Sequence, residues 1–404
     1  MSDRLRAVIT VGLCLWAAGV QITEGLAVAG MTLTFLALVP LAWRQRAESP
    51  KGSGVLRDNA FIFAFVLWAL LGPLLGGHTP TGTGFARTTD WLWIPIGAAA
   101  FRQTSARQRL AIGLTAGVVL LLSCLCAALQ HFGAWPSEDF FTPLRFTKLH
   151  FERVYEPAPN DPGRFMAGGL AFHRIRFSHV TVLLVAFASA VPAGKWQWPA
   201  RVSGLIGAVS VLLFPLARAA AAAGLAGTGA GWVLSAQQRK RSFVAVAGLI
   251  LLAFAAVGFN TGLRTRMLSS LNAEGSGDRE VLIGAGIEAV KEHPFTGVGA
   301  GQFRPSKFAG EGTPQYVLDN PGKAHNMFLS MAAEFGVLGA LLFAAVLIFE
   351  LRRFTQAGRL GAPGIAVVIT FALVCLVHDP LFHSEVSMAL MLLLAASRAC
   401  AQPR

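Results

Sequence analysis

The sequence predicts an all-α polytopic membrane protein of about 12 transmembrane helices, with two long outer loops that contain short helices. Three observations carry this. Of 404 residues, 54% are hydrophobic and 14% charged, with a mean hydropathy of +0.56, which excludes a soluble globular chain. Apolar runs recur at 7–23, 26–43, 59–77, 86–101, 110–130, 177–194, 202–217, 219–235, 242–259, 337–350, 361–378 and 382–399. Each is long enough to cross or nearly cross a hydrocarbon core about 30 Å thick, the fourth and tenth being the shortest. Basic residues, finally, gather in alternate connections. With both termini cytoplasmic, 19 of the 34 Lys and Arg fall inside, among them Arg44, Arg57, Arg107, Arg239 and Arg352, against four of the 21 acids. That asymmetry follows the positive-inside rule.

The net charge of +13 is therefore a topology signal, and nucleic acid is not an expected partner. The second run follows the first almost at once with no convincing cleavage site between them, so the first reads as a span. The whole of 1–404 reads as a single integral membrane domain. The cysteines Cys14, Cys124, Cys126, Cys375 and Cys400 lie in spans or near the C-terminus. They form no disulfide framework or zinc motif, since Cys124 and Cys126 have the wrong spacing for a CxxC pair.

In chain order, the first four spans look like scaffold. The segment HTPTGTGFARTTD, 78–90, marks an outer turn whose Arg87 either joins an anion site or is simply solvated. The first long outer loop, 131–176, mixes aromatics, prolines and both charge signs and is too long for a bare connection. It contains Arg164 and ends in FHRIRFSH, which puts Arg174, Arg176 and His179 at the mouth of the sixth span. These residues either bind substrate or, for the arginines, reach into lipid headgroups. Spans seven and eight are joined by FPLARA, followed by small residues that let helices approach closely. Arg218 in that junction is a cation at the outer border and a functional candidate. The last hairpin carries VHDPLFHSE, with His378, Asp379, His383 and Glu385 at the outer span ends. No ligand spacing is met there, and polar groups lining a wet cavity are the expected reading rather than a metal.

The second long outer loop, 260–324, extends to 336 when the helix that ends it is included. The stretch GDREVLIGAGIEAVKEHPFTGVGAGQF predicts a helix that starts near Ser276 or Asp278 and stops before Pro294. Arg279 falls in its first turn, where the helix dipole disfavours a cation. Either a bound anion such as phosphate explains it, or it pairs with a nearby carboxylate. Gly297, Gly299 and Gly301 follow a helix and a proline, with no GK[ST], so they read as a tight turn and not as a nucleotide loop. KAHNMFLSMAAEFGVLG then opens a second helix at His325, where a helix start pushes an imidazole towards its neutral, proton-accepting form.

These residues resemble the O-antigen ligase and O-antigen polymerase superfamily. The likeness rests on about twelve spans, the junction arginine in ARAAAAAGL, the long loop R-x(13)-HPFTGVGAGQF, and H-N-x-x-L-x-x-x-x-E-x-G from His325 to Gly336. The sequence departs from it with Ala219 and Ala220 where many relatives have a Ser-Arg-Gly cluster, and with Ile283 where Trp is common. The resemblance implies a bacterial inner-membrane glycosyltransferase with a periplasmic active site. Such an enzyme moves glycan from undecaprenyl diphosphate to an acceptor without nucleotide sugar, metal or other cofactor. His325 matches the essential histidine, and Arg279 and Arg218 match arginines that contact the diphosphate; Asn326 joins Arg164, Arg174, Arg176 and His179 as a candidate for binding substrate. The favoured expectation is a ligase joining lipid-linked O-antigen to the lipid A-core, because little follows the last span to make the soluble domain of protein-glycosylating relatives. The alternatives are a polymerase whose acceptor is a second lipid-linked repeat and, in another class, a transporter of lipid-linked glycan.

Overall fold

The computed structural model of the chain describes residues 2–48, 53–135, 156–158, 163–192, 197–235, 277–310 and 323–401, with a few further positions between 247 and 318. Most of the ninth apolar run, just over half of the first long loop and part of the second lie outside the described residues. What is described is helical, with no strand and one isolated bridge between Pro157 and Phe165. The elements are α1 (Ser2–Ile22), α2 (Glu24–Glu48), α3 (Ser53–Asp58), α4 (Ala60–Leu75), α5 (Gly82–Thr89), α6 (Trp93–Arg102) and α7 (Ala106–His131). They continue with α8 (Arg174–Ser189), α9 (Gln197–Leu213), α10 (Arg218–Ser235), α11 (Gly277–Glu292), α12 (Met327–Gln356), α13 (Ala362–Cys375) and α14 (Ser384–Ala401).

Six of these segments are long and apolar enough to cross a membrane: α1, α2, α7, α12, the turn and helix at 358–375, and α14. The chain is thus a multi-pass α-helical protein. The fourth apolar run, 86–101, is divided between α5 and α6 by a 3-10 turn at Asp90–Leu92. Ten residues of α6 rise only about 15 Å, half the hydrocarbon thickness. The polar α5 is instead held apart as a docking piece beside the site described below.

α14 sits at the centre, packed against α1, α6, α8 and α13. A helix apolar on nearly every side is buried on nearly every side, and α14 is buried at almost every position from Glu385 to Ala399. Trp16 of α1 donates its indole N–H to the Met388 carbonyl at 3.1 Å. The small residues of α10 act as the sequence predicts. A Cβ on Gly227 would stand 1.9 Å from Thr370 Oγ1 of α13, and one on Gly224 2.8 Å from Val182 of α8, so only glycine allows this three-helix approach.

At the end of α12 and α14 away from the site, Arg398 donates to both carboxylate oxygens of Glu350 and to Asn59 Oδ1, the last at 2.5 Å. Arg398 is 3% exposed and Glu350 1%. A buried pair strands a charge when one partner is removed. Arg398→Leu should therefore lower the unfolding free energy by about 3–5 kcal/mol, and Glu350→Leu/Arg398→Leu should regain most of that loss. Thermal unfolding in detergent checks this; an additive double variant would mean the pair is not coupled.

Candidate active site

The site is built where α12 breaks. Gly336 adopts φ 72°, which interrupts the helix two residues after Glu334. The backbone groups released by the break are taken up by the glycine turn that follows α11. Val298 N donates to Ala333 O and Gly299 N to Glu334 O, both at 2.9 Å, while Val337 N donates to Pro294 O at 2.8 Å. The Trp68 indole takes the Phe335 carbonyl at 2.9 Å. A Cβ on Gly336 would meet Phe295 O at 2.0 Å, and one on Gly297 would meet the Glu334 backbone at 2.3 Å. The GVGAG motif is a turn whose backbone docks onto another backbone, in keeping with its reading from sequence. Farther along, Gly286 packs on Leu329 and Ala324, so α11 lies beside the start of α12.

Glu334 is fully buried and held by two cations, Arg87 of α5 and Lys323. Both also lie over the Phe382 ring, at 3.9 and 4.3 Å, and Lys323 Nζ donates to the Phe303 carbonyl at 3.1 Å. Burial lowers the Lys323 pKa, and the Glu334 carboxylate opposes that shift. Thr81 caps α5 through Gly84 N at 3.0 Å and donates its own N–H to Ala300 O at 3.0 Å. Of the two sequence readings of Arg87, solvated or part of an anion site, neither describes this geometry: its charge is spent on a carboxylate inside the protein.

His325 lies two residues before the helix it was expected to open. Asn326 is the N-cap, accepting from Leu329 N at 3.1 Å through Oδ1 and donating through Nδ2 to the Leu376 carbonyl at 3.3 Å. His325 itself has φ 53°, a left-handed conformation unusual for a non-glycine residue that persists only where its surroundings hold it. Asp379 supplies that hold, because its carboxylate accepts the His325 backbone N–H and the Ser330 hydroxyl, the latter at 2.6 Å. Burial raises the Asp379 pKa to about 6, with the Ser330 hydrogen bond opposing.

From His325 a row of imidazoles crosses one end of the bundle, at the start of α8, the end of α13 and the start of α14. Ring centroids are 5.9 Å apart for His325 and His378, 5.2 Å for His378 and His179, 6.5 Å for His179 and His383, and 5.4 Å for His383 and His173. Burial, then the charges of His325 and Arg279, bring the His378 pKa down to about 3. Burial and Arg176 bring that of His383 to about 4. Both rings are neutral at pH 7. Arg279 also lies close enough to Arg218, the first residue of α10, for the two charges to oppose each other.

Arg176 binds Glu385 at 2.8 Å, and Arg174 binds Glu156 at 2.9 Å. Arg164 stands apart from this row, stacked over Phe132 at 4.2 Å. No three His, Cys, Asp or Glu side chains among the described residues converge as metal ligands.

Residues 202–344 match the family model described as O-Antigen ligase. The match supports the O-antigen ligase and polymerase superfamily for this chain. The chain matches none of the curated proteins. Support thus extends to a ligase- or polymerase-type function, that of a lipid-linked glycan transferase. Within the matched O-antigen ligase stretch lie Arg218, Arg279, His325 and Glu334; Arg87, His179, His378, Asp379 and His383, which surround them, come from outside it.

Sequence reasoning missed His173, Lys323 and Glu334 as parts of the site. A usable signal existed for Glu334, a carboxylate on the apolar side of a helix just before a membrane run, which has to be paired. None existed for His173, whose place in the row depends wholly on α14.

The Asp379 carboxyl gives a pH test. Its pKa is raised on folding, so its contribution to stability is fully present below about pH 4 and is lost as pH rises through about 6. The loss is on the order of 2 kcal/mol. Asp379→Asn cannot titrate, and whatever constant offset it introduces, its melting temperature should gain on wild type from pH 4 to pH 7. Parallel curves would mean an unshifted carboxyl.

Proposed function

We propose that the chain is a metal-independent, inverting glycosyltransferase that ligates O-antigen polysaccharide from undecaprenyl diphosphate to the lipid A-core at the periplasmic face of the inner membrane. The observation that carries this reading is the meeting of Arg218, Arg279 and His325 at one end of the helix bundle, linked through His378. Two like charges held near each other favour a bound dianion, and a guanidinium matches phosphate oxygens two at a time. A diphosphate leaving group clamped in this way needs no metal to accept the bond's electron pair. His325 takes the proton of the acceptor hydroxyl as that oxygen attacks the anomeric carbon from the face opposite the leaving group, which inverts its configuration. Asp379 and the Asn326 cap position His325, and Arg174, Arg176 and His179 border the same end.

Purified protein in liposomes with undecaprenyl diphosphate-linked glycan should glycosylate added lipid A-core. Elongation of the lipid-linked glycan without lipid A-core would assign the polymerase reaction instead. Uptake of lipid-linked glycan with no new glycosidic bond would assign transport.

A further inference from the structure

Outside the residues assigned above to donor and base, a further group of chemically competent side chains among the described residues is the rest of the histidine row. The sequence has nine histidines, and five stand in this one line. His179, in its middle, is 2% exposed, and its Nδ1 has no hydrogen-bond partner among the described residues. Buried polar atoms are ordinarily satisfied, so an unsatisfied nitrogen on a buried ring flanked by two other imidazoles calls for a reason.

We propose that His378, His179 and His383 carry the proton received by His325 away from the reacting atoms to water beside His173 and Arg176. This rests on His325 acting as the base. As the acceptor O–H breaks, its proton goes to His325 and its oxygen forms the new glycosidic bond, while the bond from the anomeric carbon to the diphosphate oxygen breaks and its electron pair leaves with the diphosphate. His325 then returns to its neutral form by passing a proton to His378. His378 and the next two rings each accept at one nitrogen and release from the other, directly or through a single bridging water. Solvent is the final acceptor, beside the half-exposed Arg176 side chain.

The surrounding charges keep the rings of the row neutral at rest, and with burial they make each protonated ring a short-lived, high-energy carrier. Arg279 and Arg174 act on His378, and Arg176 acts on His383, all against a resting positive charge. A ring already protonated could not accept. The acids nearby are otherwise engaged: Glu385 with Arg176, Glu156 with Arg174, and Asp379 with Ser330 and the His325 N–H.

The test is His378→Asn in the reconstituted transfer assay. Turnover should fall about tenfold to a hundredfold with the donor KM unchanged. The solvent deuterium isotope effect should rise, and added imidazole should restore part of the rate. Slow turnover with neither an altered isotope effect nor imidazole rescue would make the residue structural and overturn the relay, as would wild-type turnover. If His378→Asn does not accumulate, His383→Asn at the rim carries the same readouts. His325→Ala separates the two readings: if it keeps wild-type activity the base assignment itself fails, and if it is inactive while His378→Asn and His383→Asn behave as wild type, only the relay fails.

Discussion

His325→Ala should reduce glycan transfer by about a thousandfold while protein level and donor binding stay intact. A positioned general base contributes about 10²–10⁴-fold, and its removal acts on the transition state, not on the bound donor. The loss should therefore appear in kcat, with the donor KM little changed. The backbone sharpens this expectation. His325 has φ 53° and its own N–H donates to Asp379, so its backbone is held in place before substrate arrives. His325→Gly would relieve the left-handed conformation and raise stability slightly while remaining inactive. That separates chemical from structural loss in one comparison. Near wild-type transfer by purified His325→Ala would remove the base assignment and leave the histidine a structural part of the row.

Arg279→Glu should abolish binding of undecaprenyl diphosphate. Arg279 lies in the first turn of α11, where the helix dipole already attracts an anion, and opposite Arg218. Reversing its charge converts a favourable pair of cations into one cation facing an acid. Truncating a charged partner in such a contact costs about 2–5 kcal/mol, roughly 30- to several thousandfold in affinity, and reversal exceeds truncation. Arg279→Lys should recover part of the binding, because an ammonium keeps the charge and loses the two-pronged geometry. Titration of the detergent-solubilised variants with labelled undecaprenyl diphosphate reads this directly. Undiminished binding by Arg279→Glu would mean that the arginine serves another purpose, such as pairing with a carboxylate on its own helix face.

Local pattern determined much of this protein. The apolar runs marked helices that are present where the described residues include them, the fourth being broken at Asp90–Leu92. The helix through Arg279 was expected to end before Pro294, and α11 ends at Glu292. The three glycines after it were expected to make a turn, and all three have positive φ. Each of these follows from forces acting within a few residues: helical periodicity, proline's missing N–H, and glycine's freedom at positive φ. The candidate residues Arg218, Arg279 and His325 were legible too, but as separate points joined by a resemblance.

Tertiary structure alone decided what those residues meet. Arg87 and Glu334 are separated by 247 positions, Asn59 and Arg398 by 339, and no periodicity in the chain relates them. A charge in an apolar helix announces that it needs a partner, because leaving it unpaired in low dielectric is too costly. It does not announce which partner. The same holds for the fourth apolar run, whose composition reads as a span until docking on the glycine turn divides it. It holds as well for the histidines, which come from three separate stretches of chain and form a row only because these stretches meet at one end of the bundle. Composition determined that charged groups would be few, and packing chose their neighbours, since contact between distant segments depends on the geometry of the whole bundle and not on the residues beside them in sequence.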